Sequence, residues 1–306
     1  GAGPIGCELA QSFARFGSQV YLIETQHGIL PKEDRDAAEI VEQQMLRDGV
    51  KLLCCAKDVK ITKTGTGKRL TIDSHGQQYD VAIEEVFVGV GRTPNVETIG
   101  LEGVGIEYDG NGIKVNERLQ TTNHRVFAAG DVCSRYKFTH AADAMAQIVI
   151  QNALFPHPLG LGYASVESLI MPWCTFTEPE VAHVGIYEKE AKEKDIELET
   201  YTYKLGEVDR AVLDGEDEGF ARIHIQKGTD KIVGVTIVAT HAGEMISEFS
   251  VAMKAGAGAK TIAGTIHPYP TQAEANKKVV NLWRKAHFTQ RTKNLLMKWF
   301  VWMRRE

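Results

Sequence analysis

What this sequence lacks already narrows its class. No stretch approaches the roughly 18 consecutive apolar residues of a membrane-crossing helix, which excludes such a helix. Cysteine is scarce, five in 306 residues, odd in number and without a CxxC, so neither a disulfide framework nor the ligand spacing of a zinc centre is present. No metal site is therefore expected, and the thiols point to a reducing compartment, the cytoplasm or an organelle matrix. No methionine, signal peptide or amphipathic transit segment opens the chain, which starts at Gly1. The formal net charge of −5 argues against a nucleic-acid binder. There is no internal repeat and no low-complexity tract.

What is there is ordinary globular material. Hydrophobic residues make up 43% and charged residues 25%, which excludes disorder, collagen and coiled coil. At roughly 150 residues per domain, the length predicts two domains. Charge is uneven: nine Lys or Arg and no acid lie between Lys277 and Arg305, while residues 1–274 hold 26 basic against 39 acidic residues, a balance of −13.

Periodicity organises the chain. Ile5, Leu9, Phe13 and Phe16 keep helical spacing, Gly17 ends that helix, and VYLIE (20–24) follows as a short buried strand. A second helix is predicted over 33–47, closed by Gly49, with a strand from Val50. KRLTID and YDVAIEEVFVGVG add strands, with turn residues at 65–67 and at Gly76. This βαβ alternation predicts a mostly parallel sheet. Residues 112–131 read as strand again, ending in VFAAGD, and a helix is predicted over 139–154. Pro and Gly gather over 155–163, the candidate linker. Beyond it, CTFTEPEVAHVG, a helix rich in Glu and Lys, then GFARIHIQ and KIVGVTIVAT around a turn at 228–230 predict an antiparallel sheet. Helices over 243–255 and 272–286 follow. The expected architecture is α/β followed by α+β.

The first six residues, GAGPIG, carry the first chemical signal. Gly1 allows a tight turn, Gly3 lets the backbone approach a pyrophosphate, and Gly6 permits close helix–strand packing. Pro4 and Ile5 open the helix, whose N-terminus offers free N–H groups and a positive dipole end to phosphate. Glu24 stands at the end of the next strand, placed to accept a ribose 2′-OH and to repel a 2′-phosphate, so NADH is favoured over NADPH. Such a turn normally follows a buried strand; none precedes Gly1, so the chain is expected to be a piece of a longer polypeptide.

Four further segments, VGVGRTPN (88–95), RVFAAGD (125–131), FTEPEVAHVG (176–185) and HPYPTQAE (267–274), occur in this order in the FAD-dependent pyridine nucleotide-disulfide oxidoreductases, which the chain resembles over nearly its whole length. Within that family the resemblance is to mercuric reductase-like and dihydrolipoamide dehydrogenase-like members. It implies Rossmann-type dinucleotide-binding domains followed by an α+β interface domain: residues 1–92 as the NAD(H) domain, 93–160 as the returning FAD segment, and 161–306 as the domain that builds a homodimer. It also implies FAD and NADH as cofactors and a disulfide or metal-ion substrate. The family's redox CxxxxC does not occur in these 306 residues and is expected in a preceding segment.

The same resemblance assigns roles residue by residue. Asp131, after Gly130, would accept a hydrogen bond from the flavin's ribityl chain. Thr139 and His140 open a helix whose N-terminus would face the flavin pyrimidine, with His140 contributing backbone rather than acid–base chemistry. Two readings stay open for Glu8, a partner for a lysine beside the flavin or a response to the helix dipole. Gly91 is either a cofactor contact or a plain turn. Dihydrolipoamide dehydrogenase and glutathione reductase carry His-Pro-Thr with a Glu five residues after the His; here Tyr269 takes the His position and Glu274 is kept, as in mercuric reductase. Tyrosine titrates near 10, so it serves better as a hydrogen-bond donor than as a general base. His267 either takes over the proton transfer or shapes the loop.

The remaining readings concern the thiols and the tail. Cys54 and Cys55 lie in an expected strand, where neighbours point to opposite faces, so one of them is expected to be buried and inert. Cys7, Cys133 and Cys174 read as small core or turn residues. From Trp283 onward aromatic and aliphatic residues alternate with Lys and Arg, and this tail is expected to pack on its own domain or a dimer partner, with an anionic membrane surface as the other reading. Alternatives to the disulfide enzyme are a transhydrogenase or diaphorase-type flavoprotein and a non-catalytic dinucleotide-binding scaffold.

Overall fold

Gly3, in extended backbone, and Pro4, at the first helical position, start helix α1 (Pro4–Arg15). In the computed structural model, which describes residues 1–304, this helix belongs to one of two units. The first unit joins Gly1–Val90 to the chain from Pro172 onward; the second is Gly91–Met171.

In the first unit, α1 is followed by strand β1 (Tyr21–Ile23), helix α2 (Arg35–Arg47) and strand β2 (Lys51–Leu53), and β1 and β2 pair in parallel with Leu22 opposite Leu52. Strands β3 (Ala56–Lys63), β4 (Lys68–Ser74) and β5 (Gln77–Ile83) then form an antiparallel meander in that order. The expectation of a mostly parallel sheet is corrected here: among the described strands only β1–β2 is parallel. The connections 64–67 and 75–76 are too short for a crossover, which takes about a dozen residues or more.

Two local expectations also change. Residues 84–90, read as the continuation of a strand, form none, and Phe87, Val88 and Val90 are 58%, 70% and 77% exposed. β-Propensity needs a ladder partner, and none pairs with this segment among the described residues. The strand expected to carry Cys54 and Cys55 ends at Leu53, and Cys55 has φ +52°, so the alternation that would separate the two side chains does not apply.

The second unit contains short hairpin strands β6 (Tyr108–Asp109) and β7 (Gly112–Ile113) and helix α3 (Thr139–Leu154). The strand expected over 112–131 reduces to β7 and isolated bridges, and VFAAGD leads into a 3-10 turn at Gly130–Val132. Asn116 accepts the amides of Arg118 and Gln120 through its side chain, and the Asn123 side chain accepts that of Arg125. These side-chain bonds replace ladder bonds. Residues 155–163 are loop around a 3-10 turn at Pro158–Gly160.

The chain then returns to the first unit as β8 (Pro172–Thr175), β9 (Glu180–Gly185), helix α4 (Glu188–Glu193), β10 (Leu198–Lys204), helix α5 (Asp209–Asp214), β11 (Phe220–Gln226), β12 (Ile232–Ala239), and helices α6 (Ala242–Lys254), α7 (Ala259–Gly264), α8 (Glu274–Ala286) and α9 (Gln290–Met303). The expected antiparallel sheet is present with order β10-β11-β12-β9-β8. Its central strands read as near-continuous apolar runs because both faces are covered, on one side by α6 and α8. Ala2, Cys7 and Leu22 share one core with Val181, Phe220 and Val238 of this sheet. Trp283 is buried in α8, whereas no residue of α9 is buried, so packing of the tail on its own domain stops at α8. Apolar residues fill 295–297 and 299–303 of α9, with Lys298 between them.

Candidate functional site

The GAGPIG turn is held by backbone contacts that only glycine permits. A Cβ on Gly6 would lie 2.0 Å from the Gly1 carbonyl oxygen, and one on Gly1 would lie 2.5 Å from that of Gly89. Gly3 is the opposite case: a Cβ there would meet nothing within 4 Å, so the backbone is open to an approaching group. No side chain caps α1, and its first turn carries no acid, which leaves its free N–H groups for an anion. Glu24 Oε2 accepts the Ala2 amide at 2.8 Å, and Oε1 accepts the Gln26 amide at 3.1 Å. Partial burial opposes ionisation of Glu24, but the bonds from Ala2, Gln26 and Thr25 outweigh it and hold the carboxyl below its ordinary value. The charge therefore persists at neutral pH beside the turn. This arrangement fits the pyrophosphate and ribose of a dinucleotide. Glu8, one turn further along α1, accepts the Phe176 amide at 2.9 Å.

In the second unit, Gly130 has φ +78°, and a Cβ there would lie 2.9 Å from that of Ala142 on α3. The turn therefore presses against the helix start and leaves the Asp131 side chain half exposed, 3.9 Å from the Arg92 guanidinium. Lys137 Nζ donates to the Asp131 carbonyl at 2.9 Å and Arg92 to that of Lys137 at 2.8 Å. Thr139 opens α3 without a side-chain cap, and His140 stacks on Phe138 with ring centroids 5.2 Å apart. A carboxylate acceptor beside an uncapped helix N-terminus fits a polyol chain next to an electron-rich ring. Gly91 has φ +120° with open space where a side chain would stand.

The third cluster lies at the start of α8. Tyr269, 68% exposed, donates from Oη to Asp209 at 2.9 Å, and this bond raises its pKa above the ordinary tyrosine value. His267 contacts Glu248 through Nε2 at 2.9 Å, and Glu248 also accepts from the Asn276 amide at 2.9 Å. Glu274 faces Lys278 at 3.6 Å, while its other oxygen is buried without a hydrogen-bond partner; the same holds for Gln272 Oε1 and Asn276 Oδ1. Gln272 and Asn276 line a groove of about 420 Å³ together with Arg210, His241, Glu244 and Glu248.

Thus the structure brings Gly1, Gly3, Pro4, Ile5, Gly6 and Glu24 into one turn, but His267, Tyr269 and Glu274 do not hydrogen-bond to one another. The partners the sequence did not reveal are Glu248 and Asp209, which lie 19 and 60 positions away from His267 and Tyr269. No local spacing signals either of them.

Residues 1–146 match the sequence profile described as pyridine nucleotide-disulphide oxidoreductase, and residues 171–280 match the dimerisation domain of the same family. The chain is 32% identical over 278 residues to a mercuric reductase of Staphylococcus aureus, covering 90% of this chain and 50% of that protein. It is 33% identical over 279 residues to a dihydrolipoyl dehydrogenase of Bacillus subtilis, covering 90% and 57%. Among solved structures it resembles the HOCl-induced flavoprotein disulfide reductase RclA from Escherichia coli, with TM-score 0.81, 26% identity and coverage of 92% and 63%. LpdA from Mycobacterium tuberculosis is similar, with TM-score 0.82, 26% identity and coverage of 92% and 60%. The chain spans about half the length of the curated relatives it matches. With a dinucleotide-binding region and a dimerisation domain that both match, the chain belongs to the pyridine nucleotide-disulphide oxidoreductase family.

Proposed function

We propose that this chain serves an FAD-dependent oxidoreductase that draws electrons from NADH and delivers them, through a redox disulfide, to a disulfide or metal-ion substrate. The observation that carries the reading is the GAGPIG turn, open above Gly3 and tied to the Glu24 carboxylate through the Ala2 amide. Residues 1–92 would hold the nicotinamide cofactor, 93–160 would contribute to the flavin site, and 161–306 would form a homodimer. Bound NADH and FAD supply two-electron transfer; the protein's own part is placement. The α1 N-terminus would bind the dinucleotide phosphates, Glu24 would select a free 2′-OH, and Asp131 would orient the flavin's polyol. Tyr269 would turn its hydroxyl proton from Asp209 to the substrate, and His267 would carry a proton held in register by Glu248. A mercuric reductase and dihydrolipoyl dehydrogenases among the relatives support both substrate classes, and five free cysteines support a reducing compartment, cytoplasm or organelle matrix.

The test is an anaerobic titration of the FAD-loaded protein with NADH and with NADPH, followed by visible absorption. Flavin bleaching at lower NADH than NADPH concentration supports the reading; no response to NADH, or a preference for NADPH, overturns it. The exposed α9 adds peripheral contact with an anionic bilayer, because Trp299 and Trp302 lie among Lys298 and Arg304 on a helix that buries no residue. Cosedimentation with anionic vesicles that W299E/W302E abolishes supports this contact, and equal sedimentation of both proteins removes it.

A further inference from the structure

Sequence spacing hid one cluster of metal-ligating side chains. His27 stands in the turn after β1, Cys54 and Cys55 follow β2, and His75 occupies the β4–β5 hairpin turn. The two sulfurs and one nitrogen from each imidazole all lie within 4.8 Å of one another. Cys54 Sγ is 3.1 Å from His75 Nε2, and Cys55 Sγ is 3.8 Å from His27 Nδ1. With metal–sulfur bonds of about 2.3 Å and metal–nitrogen bonds of about 2.0 Å, a tetrahedron has edges of about 3.3 to 3.8 Å. The two measured pairs, at 3.1 and 3.8 Å, lie near these edges, and the widest separations, up to 4.8 Å, would close by about 1 Å around an ion.

The backbone explains how adjacent cysteines come to point at one place. Cys55 adopts φ +52°, which turns its side chain out of strand alternation. Each ligand-bearing segment is also fastened to its neighbour. Ser74, next to His75, donates from Oγ to the Cys54 carbonyl at 2.7 Å, and the Cys55 amide donates to the Gln26 carbonyl, next to His27, at 3.0 Å. Both histidines are exposed and Cys55 is half-buried, so solvent ions reach the cluster from that side. The other three cysteines are poor competitors. Burial pushes the Cys7 thiol up to about 12 and that of Cys133 to about 11, and burial together with Glu180 raises Cys174 further.

We propose that His27, Cys54, Cys55 and His75 form a binding site for a four-coordinate thiophilic d10 cation, Zn2+ or Cu+. Two thiolates and two imidazoles in tetrahedral array suit these ions and balance the charge of a divalent one. The bound ion would join the turns after β1, β2 and β4, which hydrogen bonds and an edge-to-face contact of the His27 and His75 rings already hold together. The proposal does not rest on the dinucleotide reading, because its test measures metal directly.

The experiment is a titration of the reduced protein, under anaerobic conditions with a non-thiol reductant, against a chromophoric chelator for Zn2+ and separately one for Cu+. Co2+ is then used as a spectroscopic probe. The expected result is a single equivalent of Zn2+ or Cu+ in competition with the chelator, and Co2+ bands of thiolate charge transfer and tetrahedral coordination. C54S/C55S should abolish both signals, and H27N and H75N should each weaken binding by roughly tenfold or more, at least the penalty of an outer-shell change. Asn tolerates the φ of +52° at His75, so H75N keeps the turn, and far-UV circular dichroism checks each fold. C174S should bind like the wild type. Uptake of neither ion, or uptake that C54S/C55S or both His variants leave unchanged, overturns the proposal.

Discussion

Replacing each of two glycines in the GAGPIG turn by alanine should separate folding from cofactor binding. At Gly3 the backbone has φ −74° and ψ −178°, which alanine adopts freely, and the added methyl would meet nothing within 4 Å. Removing glycine from the unfolded chain at such a position stabilises by about 0.4–1 kcal/mol. The same methyl, however, fills the space through which a pyrophosphate would reach the α1 amides. Losing a charged hydrogen bond there costs about 1.5–3 kcal/mol, roughly a ten- to hundredfold rise in the NADH dissociation constant. At Gly6 the methyl would lie 2.0 Å from the Gly1 carbonyl oxygen and 3.1 Å from its carbon, both backbone atoms that a rotamer change cannot move. Overpacking of this kind costs about 1–3 kcal/mol. Thermal unfolding followed by circular dichroism, with NADH fluorescence titration of the same samples, reads both quantities. G3A should melt at or above the wild-type temperature and bind NADH weakly, whereas G6A should melt lower. Wild-type NADH affinity in G3A, or wild-type stability in G6A, would refute the reasoning.

Further expectations concern single side chains. Glu24→Gln keeps an acceptor for the Ala2 amide but removes the charge, so discrimination between NADH and NADPH in fluorescence titrations should fall with little change in melting temperature. Glu24→Arg should reverse the preference and also lower the melting temperature, since the Ala2 and Gln26 amides lose their acceptor; unchanged selectivity in both variants removes Glu24 from the role. Tyr269→Phe should slow substrate reduction while leaving flavin reduction by NADH intact in stopped-flow absorption, and equal loss of both half-reactions sinks the assignment. His183 is fully buried, stacked on Tyr187 and bonded through Nδ1 to Thr236 Oγ1 at 2.9 Å, and burial pushes its pKa from 6.5 down to about 3. Because the folded state resists protonating it, its contribution is complete above the unfolded value of 6.5 and is lost as pH falls toward 3, at about 1.4 kcal/mol per pH unit. Urea unfolding across that range should show a shallower pH slope for His183→Gln than for the wild type, and parallel slopes would exclude it.

Local chemistry made much of this protein legible without coordinates. The glycine turn, the helix it opens and the carboxylate after the next strand are a short-range pattern, because a tight turn, a close approach and a helix start each constrain one or two neighbouring residues. Helices α2, α3, α6 and α8 and strands β11 and β12 follow from apolar periodicity and begin or end within a few residues of expectation, whereas β10, in the stretch after the Glu- and Lys-rich helix, carried no strand expectation. The ordered motifs in turn pointed to the family that the two profiles match.

Tertiary structure decided what depends on pairing at long range. An apolar run such as Val86–Val90 reads as strand in any sequence, yet it becomes one only where a ladder partner lies beside it. The direction of β3, β4 and β5 came from the length of their connections, not from their composition. Glu248 beside His267 and Asp209 beside Tyr269 are brought together by the folding of α6 and α5, which no spacing in the chain encodes. Cys54 and Cys55 show the limit most clearly. Strand alternation would send their side chains apart, but left-handed conformations at Cys55 and His75 and two turns arriving from elsewhere gather both sulfurs and two imidazoles within 4.8 Å. Sequence fixes which side chains exist and which local shapes are cheap, whereas the meeting of distant donors depends on backbone hydrogen bonds that form only once the chain has folded.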